Sequence, residues 1–414
     1  MGLIIRRLVA FILCSGVGRA VCDPAPPTGE RPNDQVENEV NMLQSSFRVN
    51  QDIAAEISQN KAVPTAFVDL DVAPELRWRN VTAYYKKLGV FPKWFTGSGL
   101  PPSSGPVAAI LRAMKIDDEY LREMKGIVSD LGLPPQFVEN LLLTSVGYEL
   151  SGPVPPNSTG CSDILAAMPN GTVVHGRNLD FTGHYGTNSG GVVFLPDATL
   201  QVLFMRGGKP LFVSLHWPGW TGILTAMRFG GWSFAQNTRY HALAPDIQVG
   251  LANGVQGFAL SARKIMETTA DFETAMKQLY DLNLMAPSFF SVAGPGPYQG
   301  AVITIDRGGV HKKGTPLVRR LSSSASSLRH DGQLFTDWNI VQTNDDLNKE
   351  PLDQRRPLEE VRLAASVQAQ VSPAWVLGEM TGPALDNPTT VYTSVFVPAS
   401  GFHETIAHPD HNKP

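Results

Sequence analysis

One short stretch of the chain carries a thiol at Cys161, a guanidinium at Arg177 and a carboxylate at Asp180. A thiol needs a base before it can attack, and Cys161 lacks the local signatures of papain-like or caspase-like cysteines with their histidine. An N-terminal nucleophile needs no histidine. If the chain is cut between Gly160 and Cys161, the freed α-amine, with an ordinary pKa near ~8, accepts the thiol proton itself. Arg177 then stabilises the thiolate and Asp180 positions the amine. Taken singly, each residue has a plainer reading: a lone cysteine as a small buried hydrophobe, an Arg–Asp pair as an ion pair. Taken together, with their spacing, they favour the chemical reading.

That spacing implies a hairpin. Two short apolar runs flank Asn170-Gly171, a dipeptide suited to a type I′ turn with positive φ at both centres. Pairing the runs brings Cys161, at the start of the first strand, opposite the end of the second, where Arg177 and Asp180 lie.

The string His175-Gly176-Arg177-Asn178-Leu179-Asp180 with Cys161 resembles the acid ceramidase and N-acylethanolamine acid amidase family of N-terminal-nucleophile hydrolases, and more distantly the bile salt hydrolases. Further similar strings follow in the expected order: Pro64 to Asp71 with Pro74-Glu75-Leu76-Arg77-Trp78, Val341-Gln342-Thr343-Asn344, Asp353-Gln354-Arg355-Arg356 and Val391-Tyr392-Thr393-Ser394. The resemblance implies a four-layer αββα sandwich of the α+β class, made as a zymogen that cleaves itself before its cysteine and hydrolyses lipid amides at acidic pH. It implies an N-terminal, largely helical α-subunit over 23–160 and a catalytic β-subunit over 161–414, together an α/β heterodimer. By the same resemblance Asn237 lies near the scissile carbonyl, Asn344 helps form the oxyanion hole, and Arg355 closes the site electrostatically. A neutral donor suits that hole because it stabilises a developing oxyanion without adding a competing base. Thr238 stands where relatives often have Glu, and Asp345-Asp346-Leu347 replaces an aromatic-containing run. Those departures bear on substrate preference.

The first residues read as an address. Arg6 and Arg7 precede the apolar run Leu8 to Leu13, with Gly18 and Ala20 after it, the pattern of a secretory signal over residues 1–22. The run is too short to span a bilayer as an anchor. The expected destination is the lysosome or the secreted route, and sequons at Asn80, Asn157 and Asn170 fit it. Of the three cysteines, Cys14 is in the leader and Cys22 at or beside its end, so Cys161 has no partner for a disulfide and is a candidate reactive thiol. Acid ceramidases usually carry more cysteines. At 414 residues and 43% hydrophobic content the chain can bury a large core, and its net charge of -4 excludes a nucleic-acid footprint.

Spacing predicts a strand over Val63–Asp71 and helices around Leu121–Leu131 and Phe137–Val146, with Val107, Ile110, Leu111 and Met114 also at helical intervals. Val90 to Phe95, beside Lys86, Lys87 and Lys93, is an aromatic-basic cluster that reads either as core or as a peripheral contact with a lipid surface. Ser151 to Gly160 is a Pro-rich linker in which a peptide bond could be exposed and strained. Strands follow at Gly191–Leu195, Thr199–Met205, Pro210–Trp217, Gly231–Ala235, Phe289–Ala293 and Ala301–Ile305, with a helix from Asp271 to Leu282 capped by Asp271. Helices over Leu358–Gln368 and Pro373–Met380 precede a last strand at Thr390–Val397. Lys312 to Gln333, basic and Ser-rich, reads as a surface loop or a processing segment.

Two function classes remain. One is a lipid amidase working through a Cys161 thioester, with N-acylethanolamines or ceramide as substrate and no cofactor or metal. The other is a catalytically idle lipid-binding relative; retention of Cys161, Arg177, Asp180 and Asn344 together speaks for the first. There is no Gly-x-Ser-x-Gly elbow for a lipase and no His-Glu-x-x-His motif for a metallohydrolase.

Overall fold

The computed structural model describes residues 61–91, 111, 114–150, 160–240, 256–306, 318–323, 328–330, 333–335, 337–347 and 349–411. The expected leader, Asn157, the linker up to 159, Val107 and Ile110, the aromatic-basic cluster beyond Phe91 and most of the 312–333 loop lie outside them. Before the hairpin come β1 (Lys61–Ala62), β2 (Thr65–Asp69), α1 (Arg79–Leu88), α2 (Asp118–Asp130) and α3 (Val138–Leu150). The hairpin is β3 (Ser162–Ala167) and β4 (Val173–Asp180). After it run β5 (His184–Gly186), β6 (Val192–Phe194), α4 (Leu195–Ala198), β7 (Leu200–Arg206), β8 (Lys209–His216), β9 (Thr225–Arg228) and β10 (Ser233–Thr238). Next are α5 (Phe258–Thr268), α6 (Phe272–Tyr280), β11 (Ser288–Ala293), β12 (Gly300–Ile305), β13 (Val318–Arg320), β14 (Leu328–His330), β15 (Gln333–Phe335) and β16 (Asn339–Gln342). The chain ends through α7 (Arg355–Ala364), α8 (Pro373–Met380), β17 (Thr390–Val397) and β18 (Phe402–Ala407).

Two sheets carry the architecture: a six-stranded one in the order β1-β18-β17-β4-β3-β16, and a ten-stranded one in the order β14-β15-β13-β12-β11-β10-β9-β8-β7-β2. Strand periodicity sorts their side chains. On the hairpin Leu165, Ala167 and Val173 face Phe289, Ala293 and Val302 of the larger sheet, forming the layer between the sheets. Ile164, Ala166 and Val174 face the other way, onto Val376 and Met380 of α8. The outer face of the larger sheet, with Phe234, Phe290 and Ile303, is covered by Phe258 and Met266 of α5 and Phe272 and Met276 of α6. Helix, sheet, sheet, helix is therefore the order of layers, the αββα sandwich expected. Gly176 lets α8 settle on the hairpin, because a Cβ there would lie 2.6 Å from Val376 Cγ1.

The segment before Gly160 is not only helical. β1 joins the edge of the smaller sheet beside β18, and β2 lies parallel to β7 at the edge of the larger. Arg77 and Trp78 reach Glu123, whose carboxylate also receives Arg263 Nη1 at 2.6 Å and Nη2 at 2.8 Å from α5. The Arg263 guanidinium in turn lies over the rings of Tyr120, Trp78 and Phe204. This buried lattice ties residues before Gly160 to residues after it, and a buried ion pair broken on one side costs about 3–5 kcal/mol.

Several elements differ from expectation. The hairpin turn is not type I′: Gly171 has φ +85°, whereas Asn170 is not among the positive-φ residues. Instead Gly171 N donates to Met168 O at 2.8 Å, placing Pro169 at the first central position where its fixed φ belongs, and Asn170 Oδ1 accepts from Thr172 N at 3.0 Å. Thr390–Val397 is not the last strand; β18 follows, hidden in the sequence because its inward Thr405 is polar and bonds Ser394 at 2.9 Å. Helix α5 escaped notice because its core face buries Arg263 and Glu267, interrupting the apolar period. Asp271 caps α6 as expected, accepting from Thr274 N at 2.8 Å.

Candidate active site

The hairpin register pairs Asp163 with Arg177 and Ser162 with Asn178. Cys161, Asp163 and Arg177 therefore share the face turned toward the larger sheet, with Cys161 two residues before Asp163. Arg177 Nη2 donates to Cys161 Sγ at 3.0 Å and to Gln236 O at 2.7 Å. Its Nη1 reaches Asp163 Oδ1 at 3.4 Å and also donates to Asn237 Oδ1 across the gap between the sheets. Asp163 in turn accepts from Ser291 Oγ at 2.8 Å. Arg177 is fully buried and Cys161 is 2% exposed, so this contact excludes water.

Asp180 does not share that face. Its parity puts it with Asn178 on the opposite side of β4, where Oδ1 accepts from Thr390 Oγ1 at 2.8 Å and Oδ2 from Arg355 Nη1 at 3.1 Å. Arg355 is the link. From the first position of α7, its Nη1 also donates to Gly160 O at 2.9 Å, Cys161 O at 3.1 Å and Ser162 Oγ at 3.2 Å. Its Nη2 donates to Asn344 Oδ1 at 2.9 Å and Asp353 Oδ2 at 2.9 Å. Cys161 is thus held from two sides, its sulfur by Arg177 and its carbonyl by Arg355.

The asparagines occupy different positions. Asn237 accepts from Arg177 and spends its amide on Gln342 O at 3.3 Å and Thr343 O at 3.2 Å. Asn344 lies against Gly160, so close that a Cβ on Gly160 would collide with its side chain and with the Tyr240 hydroxyl. Its Nδ2 donates to Thr238 O at 2.8 Å in the uncut chain. Asn80 and Asn170 are exposed at the surface, Asn80 with its side-chain oxygen accepting from Phe67 N.

Electrostatics follow from depth. Burial pushes the Cys161 thiol up, with Asp180 and Asp163 adding to the rise while Arg177 and Arg355 oppose it. The uncut site therefore holds a thiol, not a thiolate. Burial likewise lifts the Asp180 carboxyl to about 6 against the pull of Arg355, Thr390, Asn387 and Arg177. Asp163, Asp353 and Thr390 are contacts that motif reading missed. Asp163 was findable, since i and i+2 on a strand share a face; Thr390 was not, because nothing local marks its approach to Asp180.

No protein-family model matches the sequence. The human acid ceramidase is 26% identical over 373 residues, covering 83% of this chain and 86% of the relative. A probable acid ceramidase of Caenorhabditis elegans is also 26% identical, over 378 residues, with 84% of this chain and 86% of the relative covered. The chain is similar to acid ceramidases along most of its length. Among solved structures, the Caenorhabditis elegans ortholog of N-acylethanolamine-hydrolyzing acid amidase aligns with 60% of this chain and 100% of its own, at 24% identity and a TM-score of 0.48. No helix among the described residues is long and apolar enough to cross a membrane.

Proposed function

We propose that this chain is the precursor of a lipid amidase that splits fatty acyl amides through a thioester on Cys161, after cutting itself between Gly160 and Cys161. The observation that carries this reading is the pair of grips on Cys161: Arg177 Nη2 at 3.0 Å from the sulfur and Arg355 Nη1 at 2.9 Å from the Gly160 carbonyl oxygen. In the first step Sγ attacks the Gly160 carbonyl carbon, and Arg355 stabilises the oxyanion that forms on Gly160 O. The C–N bond then breaks, the thiol proton passing to the leaving nitrogen, and water hydrolyses the thioester. The products are a Gly160 carboxylate and a free Cys161 amine.

That amine is the base the buried thiol lacks. With a pKa near ~8 it takes the Sγ proton, and Arg177 holds the resulting thiolate. The thiolate attacks the lipid amide, the amine product departs with the proton, and water releases the fatty acid. Asp180, oriented by Thr390 and Arg355, positions the amine. The strands and ion pairs that residues before Gly160 share with the rest support an α/β heterodimer that persists after the cut. The leader pattern and the exposed sequons at Asn80 and Asn170 support the lysosome or the secreted route.

N-acylethanolamine is the substrate we propose, on the Pro74 to Trp78 string and the lack of further cysteines. Ceramide is the second reading, favoured by the acid ceramidases at 26% identity. Incubation of acid-treated protein with both lipids, together with N-terminal sequencing, tests activity and cut at once. Release of fatty acid from neither, with Cys161 uncut, would leave the idle lipid-binding relative.

A further inference from the structure

Away from Cys161, the end of β18 and the turn before β17 meet at three metal-ligating side chains. Asp386, His408 and His411 each offer one ligand atom, and these atoms lie within 4.8 Å of one another. The two imidazole rings are stacked, with centroids 4.9 Å apart and an interplanar angle of 21°. His411 Nδ1 lies 3.9 Å from Asp386 Oδ1, too far for a hydrogen bond, and is buried without a hydrogen-bond partner among the described residues.

A chain of hydrogen bonds settles the tautomer of His408. Asn178 Nδ2 donates to Met380 O at 2.6 Å, so its Oδ1 is the acceptor for the Thr393 hydroxyl at 2.7 Å. With its only proton spent there, the Thr393 oxygen must accept from His408 Nε2 at 2.9 Å. His408 therefore carries its proton on Nε2, and Nδ1 keeps a lone pair. An imidazole fixed through one nitrogen by an outer partner, with the other left basic, is how metal-binding histidines are prepared.

We propose that Asp386, His408 and His411 form a binding site for a divalent cation of the Zn²⁺ class. Two imidazoles and a carboxylate suit that borderline cation, with water completing four-fold coordination. The bound ion clasps the C-terminal turn to the loop that leads into β17. That loop matters to the active site: Thr390 N donates to Asn387 O at 2.9 Å, and the Thr390 hydroxyl holds Asp180. The clasp is structural and lies outside the reaction itself.

The test uses the full chain carrying Cys14→Ala, Cys22→Ala and Cys161→Ala, which removes all three thiols as rival zinc ligands. After chelator treatment, Zn²⁺ affinity is measured by competition with a chromophoric chelator, and thermal melting is followed with and without Zn²⁺. The expected result is one tightly bound Zn²⁺ per chain and a higher melting midpoint in its presence. In both Asp386→Asn, which keeps side-chain volume, and His411→Ala, at a half-buried position near the chain end, affinity falls more than about 10-fold, the loss that removing even an outer partner can bring. No binding by the parent, or equal affinity in parent and both variants, overturns the site. The readout does not involve lipid turnover, so failure here leaves the amidase reading untouched.

Discussion

Arg355 donates to the Gly160 carbonyl oxygen at 2.9 Å while also holding Asp180 at 3.1 Å and Asn344 at 2.9 Å. One guanidinium thus joins the peptide bond proposed to break to the residues proposed to act once it has broken. Lysine keeps the charge but loses the planar fork. Arg355→Lys should therefore slow self-cleavage on the order of 10²-fold, the scale of removing one oxyanion donor. The fraction cut against time at acidic pH, read on a denaturing gel, checks this. Parental kinetics would reduce Arg355 to a structural role.

The junction itself is as demanding. Gly160 has no room for a Cβ between Asn344 and Tyr240, and the amine of Cys161 can be free only after the proposed cut. Cys161→Ala should remain a single inactive chain, and Gly160→Ala should fold but mature slowly. N-terminal sequencing of acid-treated parent should return Cys161. Any other new N-terminus would refute the proposed junction.

Arg177 raises a subtler case, because the same group that touches Cys161 also faces Asp163. Arg177→Ala strands a buried carboxylate, which costs about 3–5 kcal/mol of stability in addition to any catalytic effect. Pairing it with Asp163→Asn removes that penalty. The double variant should regain most of its thermal stability yet neither cut itself nor turn over lipid. Asp180→Asn should likewise lose turnover by disorienting the amine. Turnover by a folded Arg177→Ala/Asp163→Asn protein would show that the guanidinium is not needed beside the sulfur.

How far the sequence could be read depended on the range of each interaction. Cys161, Arg177 and Asp180 sit on one hairpin, so local pairing brought them into view. The reading placed Asp180 at the Cys161 amine but did not foresee that strand parity turns its side chain to the face opposite the sulfur, where Arg355 links it to the Cys161 carbonyl. Strands with apolar inward positions were legible, and β18 and α5 were not, because Thr405, Arg263 and Glu267 fill inward positions through hydrogen bonds that only the folded chain supplies. The same limit hid Thr390, whose role depends on β17 lying beside β4.

Glu149, at the end of α3, offers a pH test. It is 1% exposed, and burial lifts its carboxyl to about 7 from an ordinary 4.5, although Phe258 N and Met285 N both donate to it. A carboxyl whose folded pKa is raised binds its proton more tightly folded than unfolded. Its cost to stability is therefore absent below about 4.5, grows as pH rises toward about 7, and is constant above. Glu149→Gln cannot ionise. Relative to its parent, in a Cys161→Ala background, it should gain on the order of 3 kcal/mol between those limits. Urea unfolding across the range measures the difference; a pH-independent one would place the carboxylate in contact with water.

Substrate choice is the last question, and the departures from the family bear on it. Asp346 is bound to Arg239, Nε to Oδ1 at 2.7 Å, and Asp345 Oδ2 accepts from Leu352 N at 3.2 Å. Both acids are buried and engaged within the fold, so neither stands as a free charge for a lipid head group. Thr238 offers its carbonyl to Asn344. Binding should then depend on burying the acyl chain, at about 0.8 kcal/mol per methylene, and a small head group should suffice. We expect faster release of palmitate from N-palmitoylethanolamine than from palmitoyl ceramide at acidic pH, compared in mixed micelles at one detergent concentration. Ceramide cleaved the faster would assign the chain to ceramide hydrolysis while leaving the Cys161 chemistry intact.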